Sequence, residues 1–359
     1  MFAPTRYLHW ARRFYGQVRF DLATSGIPTV PLAELHAGGA VAPEDPAEAW
    51  SALCRQIAAH SAVAEDEVLP ALGTSHALWL ACAALVAPGD EVVVEEPAYE
   101  PLLRIAEGVG ARVVPAPRDP RAGFALDPER IARAMSPRTR AVVVTNLHNP
   151  SGARASTEAL REVARLAEAR GATLVVDEVY AAFDDFLDES GVFRGSARHL
   201  APNVVAVSSL TKCYGLGPDR VGWLLGPKDV VVRANDALLA TAGLLPRSYV
   251  NGGIAAFSRL PALARRSRAL LAGKRERIGR WVASHGLTWT APTEGLFGLV
   301  TMPGRGDLTP IIEAAVRERH VLVAPGAFFG VPEGFRIAGS IPSELLEEGL
   351  GRLAEALEL

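Results

Sequence analysis

The feature that most constrains this chain is a series of short apolar runs, each closing on polar residues. Ala141 to Thr145 reads Ala-Val-Val-Val-Thr and meets Asn146 and Asn149. Thr173 to Val176 runs into Asp177 and Glu178, and Val204 to Val207 runs into Ser208 and Ser209. Runs this short and Val-rich, without polar alternation, suit strands buried on both faces. Helical patterns lie between them. Ser156 is placed to cap a helix carrying Leu160, Val163, Leu166 and Ala167, and Gly171 is placed to end it. A second helix reads from Ala71 to Val86, opened by Gly73-Thr74-Ser75, and Glu91 to Val94 reads as a further strand. Alternation of this kind predicts an α/β fold with a mainly parallel sheet wrapped by helices. In open sheets of that class, ligands bind beyond the carboxyl ends of the strands, where these polar residues sit.

Gly38 to Pro46 reads as a loop. From about Leu245 the sequence becomes helix-rich and Arg-rich. It ends in strand candidates at Leu296 to Thr301, Val321 to Ala324 and Phe335 to Ala338. We therefore expect a large domain over residues 35–245 and a smaller α+β domain combining residues 1–34 with 246–359. A length of 359 residues with 49% hydrophobic content supports two such cores. The 37 basic and 40 acidic residues leave a formal charge of −3, without the basic footprint of a nucleic-acid binder or a membrane-surface patch. Arg265, Arg266, Arg268, Lys274, Arg275 and Arg277 read as the wet face of a helix. Cys54, Cys82 and Cys213 have neither metal nor Cys-x-x-Cys spacing. No secretory leader or membrane-length apolar run is visible, so the expected location is cytoplasmic.

Several short motifs carry candidate chemistry. Gly73-Thr74-Ser75-His76 opens a helix whose unpaired N–H groups suit a phosphate, or simply an N-cap. Tyr99 can stack on a planar ring or fill the core. Asn149-Pro150-Ser151-Gly152 offers an amide donor on a tight turn, or only the turn. Asp177-Glu178-Val179-Tyr180 offers a carboxylate for a protonated ring nitrogen and a phenol for a ring oxygen, or a surface or Mg²⁺-binding acidic pair. Ser209-Leu210-Thr211-Lys212 with Arg220 offers a hydroxyl and a guanidinium for a phosphate. It also offers an amine whose desolvation makes it a nucleophile toward an aldehyde. Each motif alone reads at least as well as ordinary structure. Taken in order they meet one set of needs: phosphate, ring face, ring oxygen, ring nitrogen and aldehyde carbon.

As a set, the chain resembles the class I/II aminotransferases of the pyridoxal 5′-phosphate (PLP) fold type I superfamily. The resemblance runs from Asp21-Leu22-Ala23-Thr24-Ser25-Gly26 to Phe335-Arg336-Ile337-Ala338. It implies a three-layer α/β/α large domain with a smaller α+β domain. It implies that Lys212 holds PLP as a Schiff base and later shuttles the proton, and that Asp177 pairs with the pyridine nitrogen. Asn149 and Tyr180 would bind the ring oxygen and Tyr99 would stack on the ring. Thr74, Ser75, Ser209 and Arg220 would hold the phosphate. Arg336 would grip the substrate α-carboxylate, with Gly26 lying over the substrate. The implied partners are an amino acid, a 2-oxo acid and a second copy of the chain in a homodimer.

The sequence departs from the family in lacking a tyrosine between Val41 and Leu53, where members often carry one that reaches the neighbouring subunit's phosphate. The same scaffold also serves lyases, decarboxylases and cyclising synthases, and the Ser25-Gly26-Ile27-Pro28 segment suits a specialised biosynthetic role. A PLP-binding transcription regulator is disfavoured by the absence of a helix-turn-helix pattern, and a dead scaffold by the presence of Lys212. Phe328 and Phe329 could line an apolar wall. Arg6 or Arg247 could serve a second acidic group on the substrate, and His76 could lie near the ring or support the helix.

Overall fold

The computed structural model describes residues 3–36, 39–183, 192–290 and 295–359. Its centre is a seven-stranded sheet: β1 Val68–Leu72, β2 Glu91–Glu96, β3 Arg112–Pro117, β4 Thr139–Thr145, β5 Thr173–Asp177, β6 Val204–Ser209 and β7 Val221–Leu225. The order across the sheet is β1-β7-β6-β5-β4-β2-β3. Strands β2 to β6 pair in parallel, while β7 runs antiparallel to both of its neighbours.

The continuous apolar runs have a direct cause. Ala141, Val143, Val175, Val205 and Val207 face a layer containing Leu78, Ala81 and Cys82 of the Gly73–Leu85 helix. Val142, Val144, Leu174, Val176 and Val204 face the opposite layer, with Leu160, Val163 and Ala167 of the Thr157–Glu168 helix. Successive strand residues point to opposite faces, so a sheet covered on both sides needs an apolar residue at every position. The Thr157–Glu168 helix starts where Ser156 Oγ accepts the Ala159 N–H at 3.1 Å, and Gly171 follows it at φ +67°.

Register aligns the chemistry. Thr145 pairs with Asp177, and Asp177 with Val207. The polar residues that follow β4, β5 and β6 therefore leave the sheet side by side.

A second hydrophobic cluster joins Tyr7, Trp10, Phe20 and Leu22 to Ile278, Trp281, Val300, Ile312, Phe335, Leu346 and Leu350. It lies on a four-stranded antiparallel sheet with the order Ala324–Pro325, Gly334–Ala338, Phe297–Thr301, Thr288–Thr290. The helices Arg247–Phe257 and Leu260–Leu271 place Tyr249, Ile254, Phe257 and Leu263 in the cluster of the large sheet instead.

Three sequence expectations are corrected. Ala71 and Leu72 end β1, an edge strand tolerant of Pro70, so the following helix begins at Gly73. Val321 to Ala324 is not one strand. Val321–Leu322 pairs in parallel with Phe20–Asp21, and Ala324–Pro325 crosses to the antiparallel sheet. The expected loop from Gly38 to Pro46 ends at Asp45, whose side chain caps the Pro46–Ser61 helix, and Gly38 lies outside the described residues. Among the described residues, no helix is long and apolar enough to cross a membrane.

Candidate active site

The end of the site at the Gly73–Leu85 helix is a shelf of hydroxyls and backbone N–H groups. Thr74 Oγ1 donates to Ser209 Oγ at 2.9 Å, and Ser209 Oγ lies 2.7 Å from Thr211 Oγ1. Gly73 is at φ +75°, and a methyl there would sit 2.3 Å from Arg220 Nη2. The residue must therefore be glycine for the guanidinium to lie over the helix start. Ser75 and Arg220 face solvent at this edge. His76 is absorbed by structure: its Nδ1 accepts the Leu72 N–H at 3.1 Å and its ring stacks on Trp79.

In the middle of the site, Asp177 is buried at the end of β5 and accepts the Val179 N–H at 3.1 Å. Burial pushes its carboxyl up to about 7, with Glu95 adding repulsion and Lys212 opposing it. The neighbouring Glu178 turns away, accepting Ser196 Oγ at 2.8 Å and the Ala197 N–H at 2.9 Å. The two carboxylates are therefore not a metal-binding pair, and no metal-holding cluster of His, Cys, Asp or Glu is found among the described residues.

Half-buried Lys212 follows β6. Desolvation and the Arg336 and Arg220 charges bring its amine down to about 8. Its Nζ donates to Ser25 Oγ at 3.4 Å, and Ser25 Oγ lies 2.9 Å from the Tyr180 hydroxyl. Gly26 passes so close that a Cβ would meet Lys212 Cδ at 3.1 Å.

The far end is buried and aromatic. Arg336 Nη1 donates to Asn149 Oδ1 at 2.7 Å, and Nη2 donates to Ala23 O at 2.8 Å and to the Tyr7 hydroxyl at 3.0 Å. The guanidinium lies over the rings of Phe297 and Phe329, and its Nε has no partner. Tyr7 packs edge-on to Tyr99, with ring centroids 6.0 Å apart, and shares a 2.6 Å hydrogen bond with Tyr15. Phe328 packs on Tyr7 and Trp10 within this wall. Neither suggested second cation enters it. Arg6 sits beside Glu100, and Arg247 holds the carbonyls of Pro43 and Glu44.

The structure thus brings Thr74, Ser209, Lys212, Asp177, Tyr180, Tyr99, Asn149, Gly26 and Arg336 into one contiguous site, with Ser75 and Arg220 on its open edge. Residues 44–353 match the family model described as aminotransferase class I and II. The chain belongs to this family. It is 32% identical to capreomycidine synthase of Streptomyces vinaceus, over 97% of this chain and 92% of that protein. Among solved structures, Thermus thermophilus aspartate aminotransferase with maleate superposes with a TM-score of 0.78 at 26% identity, covering 99% and 97% of the two chains. The PLP-dependent cyclase OrfR superposes at 0.81 with 25% identity, also covering 99% and 97%. As a class I/II family member, the chain has the PLP-dependent fold type I architecture.

The residues fit that cofactor on their own chemistry. Hydroxyls and N–H groups gather where a phosphate would lie. A buried carboxyl without a cationic partner in hydrogen-bond contact stands where a protonated ring nitrogen would lie. The buried Arg336 Nε–H has no partner, which leaves a donor that an anion could satisfy.

Sequence reasoning missed Tyr7, Tyr15 and Phe297, and took Ser25 only as part of an unusual segment. It also missed the buried pair of Arg118 and Glu95, in which Arg118 Nε donates to Glu95 Oε2 at 2.8 Å. Glu95 Oε1 accepts the Thr145 N–H at 2.7 Å and braces the end of β4 beside Asp177. The only signal for that pair was an acidic residue at the close of an apolar strand.

Proposed function

We propose that this enzyme moves an amino group between an L-α-amino acid and a 2-oxo acid, with Lys212 as the residue that carries PLP. When bound, PLP supplies an electron sink that stabilises negative charge at the substrate Cα. The protein's part follows from its own groups. Thr74, Ser75, Ser209 and Arg220 hold the phosphate. Asp177 offers the buried carboxylate that keeps a ring nitrogen protonated, and Tyr99 covers one ring face. Asn149 holds Arg336 through its carbonyl oxygen, which leaves its amide N–H groups to donate to the ring oxygen, as the Tyr180 hydroxyl does. Arg336 binds the α-carboxylate and so fixes which Cα bond faces Lys212. Lys212, with its amine near 8, can take the α-proton near neutral pH and return it later.

The observation that carries this reading is the set of hydrogen bonds around Lys212 and Arg336. Lys212 Nζ donates to Ser25 Oγ at 3.4 Å, Ser25 Oγ lies 2.9 Å from the Tyr180 hydroxyl, and Arg336 Nη1 donates to Asn149 Oδ1 at 2.7 Å, which supports reading amine, ring contacts and carboxylate clamp as one site. The family's paired use of the site suggests a homodimer. Its test is multiple turnover with an amino acid and a 2-oxo acid. The reaction should stop after one equivalent when the oxo acid is withheld. Asp177→Ala should leave a coloured but nearly inactive enzyme, and full activity in that variant would remove Asp177 from the ring nitrogen.

The second reading is a cyclising or eliminating synthase on the same residues. It is favoured by the match to capreomycidine synthase, which spans 97% of this chain and includes residues outside the 44–353 family match. Sustained turnover with an amino acid alone, without an oxo acid, would select it.

A further inference from the structure

Resting on the reading of Lys212 as the PLP-carrying residue, we propose that Ser25 is a positioning residue that ties the Lys212 amine to the Tyr180 hydroxyl and holds the amine in place.

An ammonium only donates, so Lys212 Nζ donates and Ser25 Oγ accepts, at 3.4 Å. Ser25 has one proton of its own, and Tyr180 Oη lies 2.9 Å away. Either hydroxyl can donate across that contact, so Ser25 bridges the amine and the phenol whichever way its proton lies. Contact with Ser25 pulls the Tyr180 phenol down against the rise caused by burial.

The backbone makes the arrangement rigid. Ile27 N–H donates to Lys212 O at 3.1 Å, and Val30 N–H donates to Gly215 O at 2.9 Å. The segment that carries Ser25 is thus laced to the loop that carries Lys212. Ser25 is buried and Gly26 packs on the lysine stem, so the hydroxyl has little room to turn elsewhere. Ser25 also lies outside the 44–353 family match, so this link comes from a part of the chain which that match does not include.

In use, the freed Lys212 amine takes the α-proton of the substrate and becomes an ammonium. Ser25 accepts one of its N–H groups and holds the nitrogen over the same carbon for the return transfer. Nothing is oxidised and no bond to Ser25 forms.

The test compares Ser25→Ala, Ser25→Thr and Lys212→Ala in two measurements. The first is the single-turnover rate with ordinary and α-deuterated amino acid. Ser25→Ala should slow proton transfer about tenfold and enlarge the isotope effect, while Ser25→Thr stays near wild type. The second is the pH dependence of amine labelling in the cofactor-free chain, with Lys212→Ala as the blank. Loss of an acceptor for the ammonium should lower the Lys212 midpoint in Ser25→Ala relative to wild type, with Ser25→Thr unmoved. A Ser25→Ala variant that matches wild type in both measurements overturns the proposal. So does a Ser25→Ala variant that loses rate with an unmoved midpoint and isotope effect, since that marks simple packing. If wild type shows no PLP absorption band dependent on Lys212, the reading of Lys212 fails instead.

Discussion

The two ends of the site are built on opposite principles. At the Gly73 end, small hydroxyls, backbone N–H groups and an exposed Arg220 form an open shelf. At the Arg336 end, a guanidinium is sunk among Tyr7, Phe297 and Phe329 and held by Asn149, Ala23 and Tyr7. A shelf of several donors suits a group that stays in place through many turnovers, because the contacts add up. A buried charge suits a group that must be oriented for one step, because low dielectric strengthens a single ionic contact. Lys212 stands between them, linked to both charge systems.

The sharpest way to break this division is Arg336→Ala. It should lower kcat/KM for α-amino acids by about 10³-fold, while PLP stays bound and the visible band persists. Unchanged kinetics would remove Arg336 from the substrate.

The next largest effect is on stability and lies between the two ends. The Asp177 carboxyl sits near 7 in the fold against an ordinary 3.8, so ionising it costs the folded state. That stability is present below pH 4 and is lost as the pH rises through 7. Cofactor-free Asp177→Asn should therefore match the wild type in thermal unfolding near pH 4. At pH 8 it should exceed it by on the order of 4 kcal/mol. Equal melting at both pH values would show that the burial cost is absent.

At the shelf, Thr74→Ala and Ser209→Ala should each weaken PLP binding by about tenfold, read by equilibrium titration, with the KM for amino acid unmoved. A change in KM would mean that the two ends are coupled. The smallest effect on the substrate belongs to Tyr7→Phe, which keeps the ring and loses the hydrogen bonds to Arg336 and Tyr15. It should raise KM about threefold at constant kcat.

The same contrast explains what could be read in the sequence. The shelf is local. Gly73, Thr74 and Ser75 are consecutive, and Ser209 to Lys212 follow one strand, so the motifs and their spacing announce themselves. The parallel sheet was legible for a similar reason, since burial on both faces writes a continuous Val-rich run at β4, β5 and β6. The aromatic end is not local. Tyr7 reaches Arg336 across 329 positions, and its place depends on Glu100 accepting the Tyr7 N–H at 2.8 Å. No pattern near residue 7 reports that. Edge strand β1 carries Pro70 and merged into the helix that follows it. The run from Val321 to Ala324 hid a switch between two sheets, because apolar patterning does not record a strand's partner.

The most direct test of the account is the visible absorbance of the purified protein with PLP, for wild type and Lys212→Ala. The account predicts a stable band in wild type that is absent in Lys212→Ala and that changes on addition of one class of L-amino acid. A band of equal strength in both proteins, or none in wild type, would contradict the assignment of Lys212 on which the site is built.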